Sequence, residues 1–452
     1  MRKGFTFDAA LCVSCKACSA ACILENGFQP GIRTLFAWND HGLPLAGVIN
    51  LSMACNHCAD PACASGCPAL AYTIESDGAV IHHPERCMGC GYCTWRCPYD
   101  APKINPDAGY IEKCHFCAYR ASEGIEPACV TACPTGALKM TKTEEFNGTL
   151  PAWFPDTGIK PSVFLKNAEN NNRPLIIPAD SEPVDTDAAG LTPPRAVFAP
   201  DRLKKEWSLA LFSALVITAS VMLIVSALRG SAPRGFIPFL LMAGAMAVSV
   251  AHLGVAGKSW RALLNIFSSP LSREIAMVLL LALVALLEWL KPDVAPPLIT
   301  GLLALLTLIS VDNVFFAADR SLSLKLHSGQ AYFTGMYAAA WFIEPTIIFT
   351  GFSMLATISV VMRYKSSEAD TLTRTLYYFR AMTLPVVFMM IYPGNPVTDI
   401  IALVLFIAGL MADRLLFYCD FRPPGIKDTI TEHFQKEYEK ERDKQCQDAG
   451  IS

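Results

Sequence analysis

The chain has 452 residues, 52% hydrophobic and 17% charged, a balance too apolar for an ordinary soluble protein and long enough for two or three domains. A formal net charge of −3 offers no basic footprint for a polyanion, which excludes nucleic acid as an expected partner. Sixteen of the eighteen cysteines fall between Cys12 and Cys133, leaving Cys419 and Cys446 as stragglers. The opening run Met1-Arg2-Lys3-Gly4-Phe5-Thr6-Phe7-Asp8 has no apolar core and no twin-arginine pair, so no signal peptide is expected. The thiols are then made in a reducing compartment, where metal binding outranks disulfides.

The first element of the chain is a set of four cysteine quartets. They read Cys12-x2-Cys15-x2-Cys18-x3-Cys22, Cys55-x2-Cys58-x4-Cys63-x3-Cys67-Pro68, Cys87-x2-Cys90-x2-Cys93-x3-Cys97-Pro98 and Cys114-x2-Cys117-x11-Cys129-x3-Cys133-Pro134. Two match the bacterial ferredoxin spacing, in which three close thiolates wrap one [4Fe–4S] cube and the fourth turns away to a different cube. Each cube therefore ties two segments together, and the repetition predicts a ferredoxin-like α+β module built twice. Structural zinc is disfavoured, because zinc sites rarely pack four cysteines into eleven residues and have no need of four such quartets. Thr73–Ile81 has the alternation and Asp-Gly turn of a hairpin, and a strand is expected at 137–140. His57, His82, His83 and His115 lie among the quartets, but every cube already has four thiolates, so they read as surface or supporting residues.

Residues 1–150 thus form the cluster domain. Residues 151–204 hold Asn170-Asn171-Asn172 and many prolines and read as an extended linker. The stretch 205–420 is an all-α polytopic membrane bundle, with apolar runs at 207–228, 236–253, 274–290, 296–317, 335–362, 376–393 and 397–418. Seven runs are counted, with eight spans as the alternative. Residues 421–452 read as a charged, solvated helical tail.

Residues 1–175 resemble the four-cluster electron-transfer subunit of the dimethyl sulfoxide reductase group of molybdenum oxidoreductases in quartet order, Cys-Pro endings and the longer fourth loop. Ala251-His252-Leu253-Gly254, Arg261-Ala262, Leu271-Ser272-Arg273-Glu274-Ile275 and Asp413-Arg414-Leu415-Leu416-Phe417-Tyr418 resemble the membrane anchor of the same group. The chain therefore looks like a fusion of two subunits that are usually separate, although the anchors usually have eight spans. The resemblance implies four cluster sets: Cys12, Cys15, Cys18 with Cys133; Cys114, Cys117, Cys129 with Cys22; Cys55, Cys58, Cys63 with Cys97; and Cys87, Cys90, Cys93 with Cys67. Some relatives hold a three-iron cluster at the third quartet, but here Cys90 and its neighbours are complete.

Because the linker has no apolar run, odd-numbered spans start on the cluster side and even-numbered spans end there. His252 closes the second span on that side, followed by Lys258, Arg261 and Arg273, and Asp312 and Asn313 fall at a similar depth. Quinol oxidation releases two protons, and a histidine beside a carboxylate suits that task; the resemblance assigns the matching histidine to quinol. The alternative is a histidine that only caps a helix near the headgroups. Glu288, Glu344 and Arg380 are further intramembrane charges. Only His252 is placed to ligate a transmembrane haem, with His327 in a loop, so no haem is expected. The resemblance implies menaquinol or ubiquinol as donor, a molybdopterin catalytic subunit as partner, and a terminal acceptor such as dimethyl sulfoxide or a related S- or N-oxide. The reverse flow, into quinone, and a non-catalytic accessory redox role are the alternatives. Basic residues before the first span favour an inner-membrane protein with its clusters in the cytoplasm, unless a twin-arginine signal on a partner carries the domain outward.

Overall fold

Lys3–Asp8 has a continuously buried centre, Gly4 to Phe7, and forms the first strand, β1, which becomes the middle of a three-stranded sheet. In chain order the same unit continues with α1 (Ala17–Asn26), β2 (Thr34–Trp38), β3 (Ile49–Met53), α2 (Ala62–Ser65), β4 (Tyr72–Ile74), β5 (Val80–His82), α3 (Tyr92–Arg96), β6 (Lys103–Ile104), β7 (Ile111–Glu112), α4 (Ala118–Ser122), α5 (Ala128–Thr131), β8 (Leu138–Lys142) and β9 (Val163–Lys166). The computed structural model describes residues 1–38, 48–146, 149–155, 157–167, 200–228, 235–291, 294–318, 335, 396–420 and 425–448. The chain divides into two units, Met1–Leu191 with Pro424–Ser452, and Thr192–Pro423.

In the first unit β1 pairs antiparallel with β8 and parallel with β9, placing Phe5 opposite Met140 and Val163, and Phe7 opposite Leu138 and Leu165. Phe5, Phe7, Leu138, Val163 and Leu165 are buried, so a strand from each of three distant segments closes one core. The Asp-Gly hairpin forms as expected: β4 pairs with β5, and Gly78 takes the positive φ of 85° that its turn requires. The strand expected after Pro134 is β8.

Two boundaries differ from the sequence reading. The segment expected to begin the linker belongs to the cluster unit as far as Asn167: β9 enters the sheet, and Phe154 is buried with its ring stacked on Tyr99 at 5.5 Å. Proline content masked this, since Pro151, Pro155 and Pro161 punctuate a segment whose apolar residues pack one by one. The remainder, 168–199, lies outside the described residues.

The C-terminal tail is a helix, as expected, but one face of it is not solvated. Helix Ile426–Asp448 buries Ile426, Ile430 and Phe434 in the core of the first unit. The indole Nε1 of Trp38 donates to Thr431 Oγ1 at 3.0 Å, and Phe434 packs against Trp38 and Trp153 with ring centroids 5.9 and 5.8 Å apart. The apolar residues recur at four-residue spacing within an otherwise charged sequence, a stripe too narrow to stand out against Glu432, Lys436 and their neighbours.

The second unit is built from α6 (Pro200–Leu228), α7 (Phe236–Val250), α8 (Pro270–Leu290), α9 (Pro297–Phe316) and α10 (Pro396–Asp420), joined between α7 and α8 by a 3-10 turn at Ala256–Leu263. The C-terminal helix of the first unit is α11. Among the described residues three helices are long and apolar enough to cross a membrane, Trp207–Leu228, Pro270–Leu290 and Pro297–Phe316, and Phe236–Val250 is a shorter apolar helix. Helix α10 covers the last apolar run. The runs at 335–362, apart from Gly335, and at 376–393, with Glu344, Arg380 and His327, lie outside the described residues. Val216, Ile217, Val278, Leu281, Leu308 and Leu410 form the interior, whereas Leu240, Leu283, Leu298 and Leu302 point outward, the polarity suited to lipid. A Cβ added at Gly301 would lie 2.7 Å from Ala227 Cβ, so glycine permits the close approach of α9 to α6.

Phe434→Ala removes a buried ring from the core of the first unit and should cost about 3 kcal/mol. The check is the thermal midpoint of cluster bleaching in the full chain, which should fall, and proteolysis of α11, which should accelerate.

Candidate metal-cluster site

The cysteine loops share a backbone device. The residue two positions after the first cysteine of each quartet has positive φ: Ser14 at 59°, His57 at 44°, Gly89 at 73° and Phe116 at 56°. Only one of the four is glycine; a left-handed conformation costs the others about 1–2 kcal/mol each. In two loops this turn aims the backbone N–H at the first sulfur, His57 N to Cys55 Sγ at 3.5 Å and Gly89 N to Cys87 Sγ at 3.4 Å. Such inward N–H groups favour a negatively charged occupant.

Three cavities follow from these loops. Cys12, Cys15, Cys18 and Cys133 line one; Cys55, Cys58, Cys63 and Cys97 line another; Cys67, Cys87, Cys90 and Cys93 line the third. Every cavity takes three cysteines from one quartet and one from another. The remaining four are also neighbours: Cys22 lies near Cys117 and Cys129, and Cys114 near Cys129 and Cys22. No His, Cys, Asp and Glu group among the described residues converges closely enough to hold a single metal ion. Thiolates that surround a space suit a polynuclear cluster, whereas structural zinc needs four donors meeting at one point. The donor sets therefore fit iron–sulfur cubes.

The four sets lie in sequence. Cys18 is close to Cys22 and Cys129, Cys55 to Cys114, and Cys63 to Cys93. Two buried cations stand inside this line. Arg33 donates from Nη1 to Ser52 Oγ at 3.0 Å, and that oxygen lies 3.4 Å from Cys18 Sγ. Its Nη2 is buried with no hydrogen-bond partner among the described residues, as expected of a donor facing a cluster. Lys113 Nζ donates to Cys55 Sγ at 3.6 Å, to the Cys114 carbonyl at 2.8 Å and to the Val80 carbonyl.

The histidines have other work. His57 is fully buried, stacks on Phe116 at 3.5 Å and accepts the Val80 N–H at Nδ1. Burial, reinforced by the charge of Lys113, pushes its pKa well down, so the ring is neutral. His83 Nε2 lies 2.8 Å from Thr73 Oγ1, His115 Nδ1 accepts from Ala118 N at 3.2 Å, and His82 packs against Tyr72.

In the second unit polar groups gather at the end where α7 finishes, α8 begins, and α9 and α10 finish. His252 follows α7, partly buried, its Nδ1 without a hydrogen-bond partner among the described residues. Glu274 on α8 and Asp312 on α9 are both buried and close enough for their charges to interact. Arg414 and Asp413 form an ion pair at 3.2 Å with both side chains 1% exposed, and Phe315 packs on Phe417 at 4.7 Å, which holds α9 against α10. In the sequence Glu274 stands out only as part of a motif; its burial beside Asp312 is a tertiary fact that no periodicity reveals. Glu288 lies near the opposite end of α8, buried, where it accepts from Thr300 Oγ1 at 2.5 Å.

Residues 47–143 match the family described as 4Fe-4S dicluster domain. The chain is 37% identical over 188 residues to the probable anaerobic dimethyl sulfoxide reductase chain YnfG of Escherichia coli (strain K12), covering 38% of this chain and 91% of that protein. It is 39% identical over 153 residues to an anaerobic dimethyl sulfoxide reductase chain of Haemophilus influenzae, covering 31% and 75% respectively. A tetrathionate reductase subunit of Salmonella typhimurium is 31% identical over 179 residues, covering 36% and 71%.

Burial raises the pKa of Cys22 and Cys97 to about 11 and of Cys90 to about 12, and pushes Cys58, Cys63 and Cys114 up as well. Cys133 goes the other way: burial opposes ionisation, but hydrogen bonds from Leu138, Thr135 and Ala137 outweigh it. Raised thiols keep their protons at neutral pH and must release them to bind iron. Reconstitution of the metal-free protein with ferrous iron and sulfide should therefore liberate protons, with half-loading at less iron as pH rises from about 7 to 9. The stability that the raised thiols give the metal-free fold is complete below about pH 9 and is lost as pH climbs through their folded values. Anaerobic iron titrations at several pH values check the sign; a pH-independent titration would contradict it.

Proposed function

Because this chain belongs to the family of iron–sulfur electron-transfer subunits that includes those of dimethyl sulfoxide reductase, we propose that it oxidises membrane quinol and relays the electrons to a molybdopterin catalytic subunit. That partner reduces a terminal acceptor such as dimethyl sulfoxide or a related S- or N-oxide. The observation that carries the reading is the pairing of distant cysteines around each cavity. In it Cys12, Cys15, Cys18 and Cys133 hold the first [4Fe–4S] cluster; Cys22, Cys114, Cys117 and Cys129 the second; Cys55, Cys58, Cys63 and Cys97 the third; and Cys67, Cys87, Cys90 and Cys93 the fourth. When bound, such clusters supply one-electron steps. Their adjacency supports an unbranched line, with the first and fourth sets at its ends.

His252, Asp312 and Glu274 serve quinol in this proposal. Quinol oxidation yields two electrons and two protons, and an imidazole beside buried carboxylates supplies acceptors for the protons. Menaquinol and ubiquinol both meet this chemistry. The reverse flow, from a substrate-oxidising partner into quinone, is the second reading. It is favoured by similarity to the iron-sulfur subunit of Escherichia coli (strain K12) formate dehydrogenase-O, 35% identical over 156 residues and covering 52% of that protein.

In this proposal the cluster unit, which includes α11 as well as β1 to β9, lies on one side of the membrane. Neither 168–199 nor 421–424 contains an apolar run, which favours an even number of spans, eight as in the resembling anchors, over the seven apolar runs counted in the sequence. Basic residues near the first span favour the cytoplasmic side of an inner membrane for the clusters, with the opposite side as the alternative.

His252→Leu should abolish quinol-driven cluster reduction while dithionite still develops every cluster's EPR signal; normal quinol turnover in the variant would sink the assignment. Accessibility labelling of single cysteines introduced at residues 2 and 450 should report the same side of the membrane. Opposite sides would restore an odd count.

A further inference from the structure

We propose that Lys113 is a positioning residue of the electron line: its buried positive charge raises the reduction potential of the cluster held by Cys55, Cys58, Cys63 and Cys97. Among the described residues of the first unit, Lys113 and Arg33 are the only buried cationic side chains. Lys113 stands 3% exposed at the junction of the second and third cysteine sets, with its Nζ on Cys55 Sγ at 3.6 Å and on the Cys114 carbonyl at 2.8 Å. It is one residue from a ligand of the second set in sequence and touches a ligand of the third in space. The inference rests on the four-cluster reading above.

A cube with four thiolate ligands is negatively charged, and each electron it accepts makes it one unit more negative before the same electron moves on. A fixed cation nearby stabilises the reduced form more than the oxidised form, and in a buried site this attraction is several-fold stronger than in water. Charge and hydrogen bonds to sulfur are among the protein's levers on cluster potential. Lys113 supplies both to Cys55, while the Val80 and Cys114 carbonyls hold its ammonium in place. Arg33 stands between the first and second sets, on Ser52 Oγ beside Cys18 and near Cys129, Cys114 and Cys22, and the fourth set has no buried cation of this kind among the described residues. The inner step is thus built to be easier to reduce than the same cube would be without the lysine.

A purely structural lysine, stapling β5 to the Cys114 loop, is the competing explanation. The two separate in an EPR-monitored redox titration of the full chain in its membrane. Lys113→Gln keeps a hydrogen-bond donor but removes the charge. The expected result is a lower midpoint for one spin system, with the intensities of all signals retained and the two end clusters unmoved. Lys113→Met should lower the same midpoint further, and Lys113→Arg should return it toward that of the unaltered protein. Unmoved midpoints, a uniform shift of all clusters, or loss of a cluster in both the Gln and Met variants would overturn the proposal. Fewer than four spin systems in the unaltered protein would instead defeat the four-cluster reading.

Discussion

Sixteen thiols packed into a domain of short strands are a liability unless each is held where it can share its charge. That requirement organises the first unit. Its longest strand, β1, has six residues and the others five or fewer, too little sheet to define a fold alone. What connects the segments is the crossing of the quartets: Cys133 reaches the cavity of Cys12, Cys97 that of Cys55, and Cys67 that of Cys87. Binding energy at sites assembled from distant segments is folding energy. The strained turn at His57 makes sense on the same footing, because its N–H is aimed at the Cys55 sulfur.

The cysteine spacing announced these cavities, and the Asp-Gly turn announced the β4–β5 hairpin, because both are local patterns with a direct geometric meaning. The left-handed position was legible in one loop only, where Gly89 occupies it; Ser14, His57 and Phe116 give no local sign of it. The burial of Arg33 and Lys113 was likewise invisible, since a lone basic residue between cysteine runs looks the same on a surface as in a core. Only the pairing of segments far apart in sequence decides. The same reason hid the last part of the cluster unit: Val163 and Leu165 enter the sheet through a parallel pairing with β1, across more than 150 residues.

Docking of α11 has a consequence beyond stability. It brings the far end of the chain into the core of the first unit, where Ile426, Ile430 and Phe434 are buried and the Phe434 ring meets Trp38 and Trp153. Segments more than 390 residues apart in sequence, Trp38 and Thr431, are joined there by a hydrogen bond as well.

The membrane end shows the same logic in different chemistry. Glu274 and Asp312 are acids buried side by side, and Asp413 and Arg414 form a buried ion pair one helix away. Hydrocarbon surroundings penalise such groups heavily. Asp413 and Arg414 pair with each other on α10, and the contact between α9 and α10 is made by Phe315 against Phe417. Two neighbouring acids repel each other when both are ionised, and that repulsion is relieved when one of them takes up a proton. The quinol chemistry proposed for this end of the bundle draws on that property of Glu274 and Asp312 and on the place of His252 beside them in the chain's second unit.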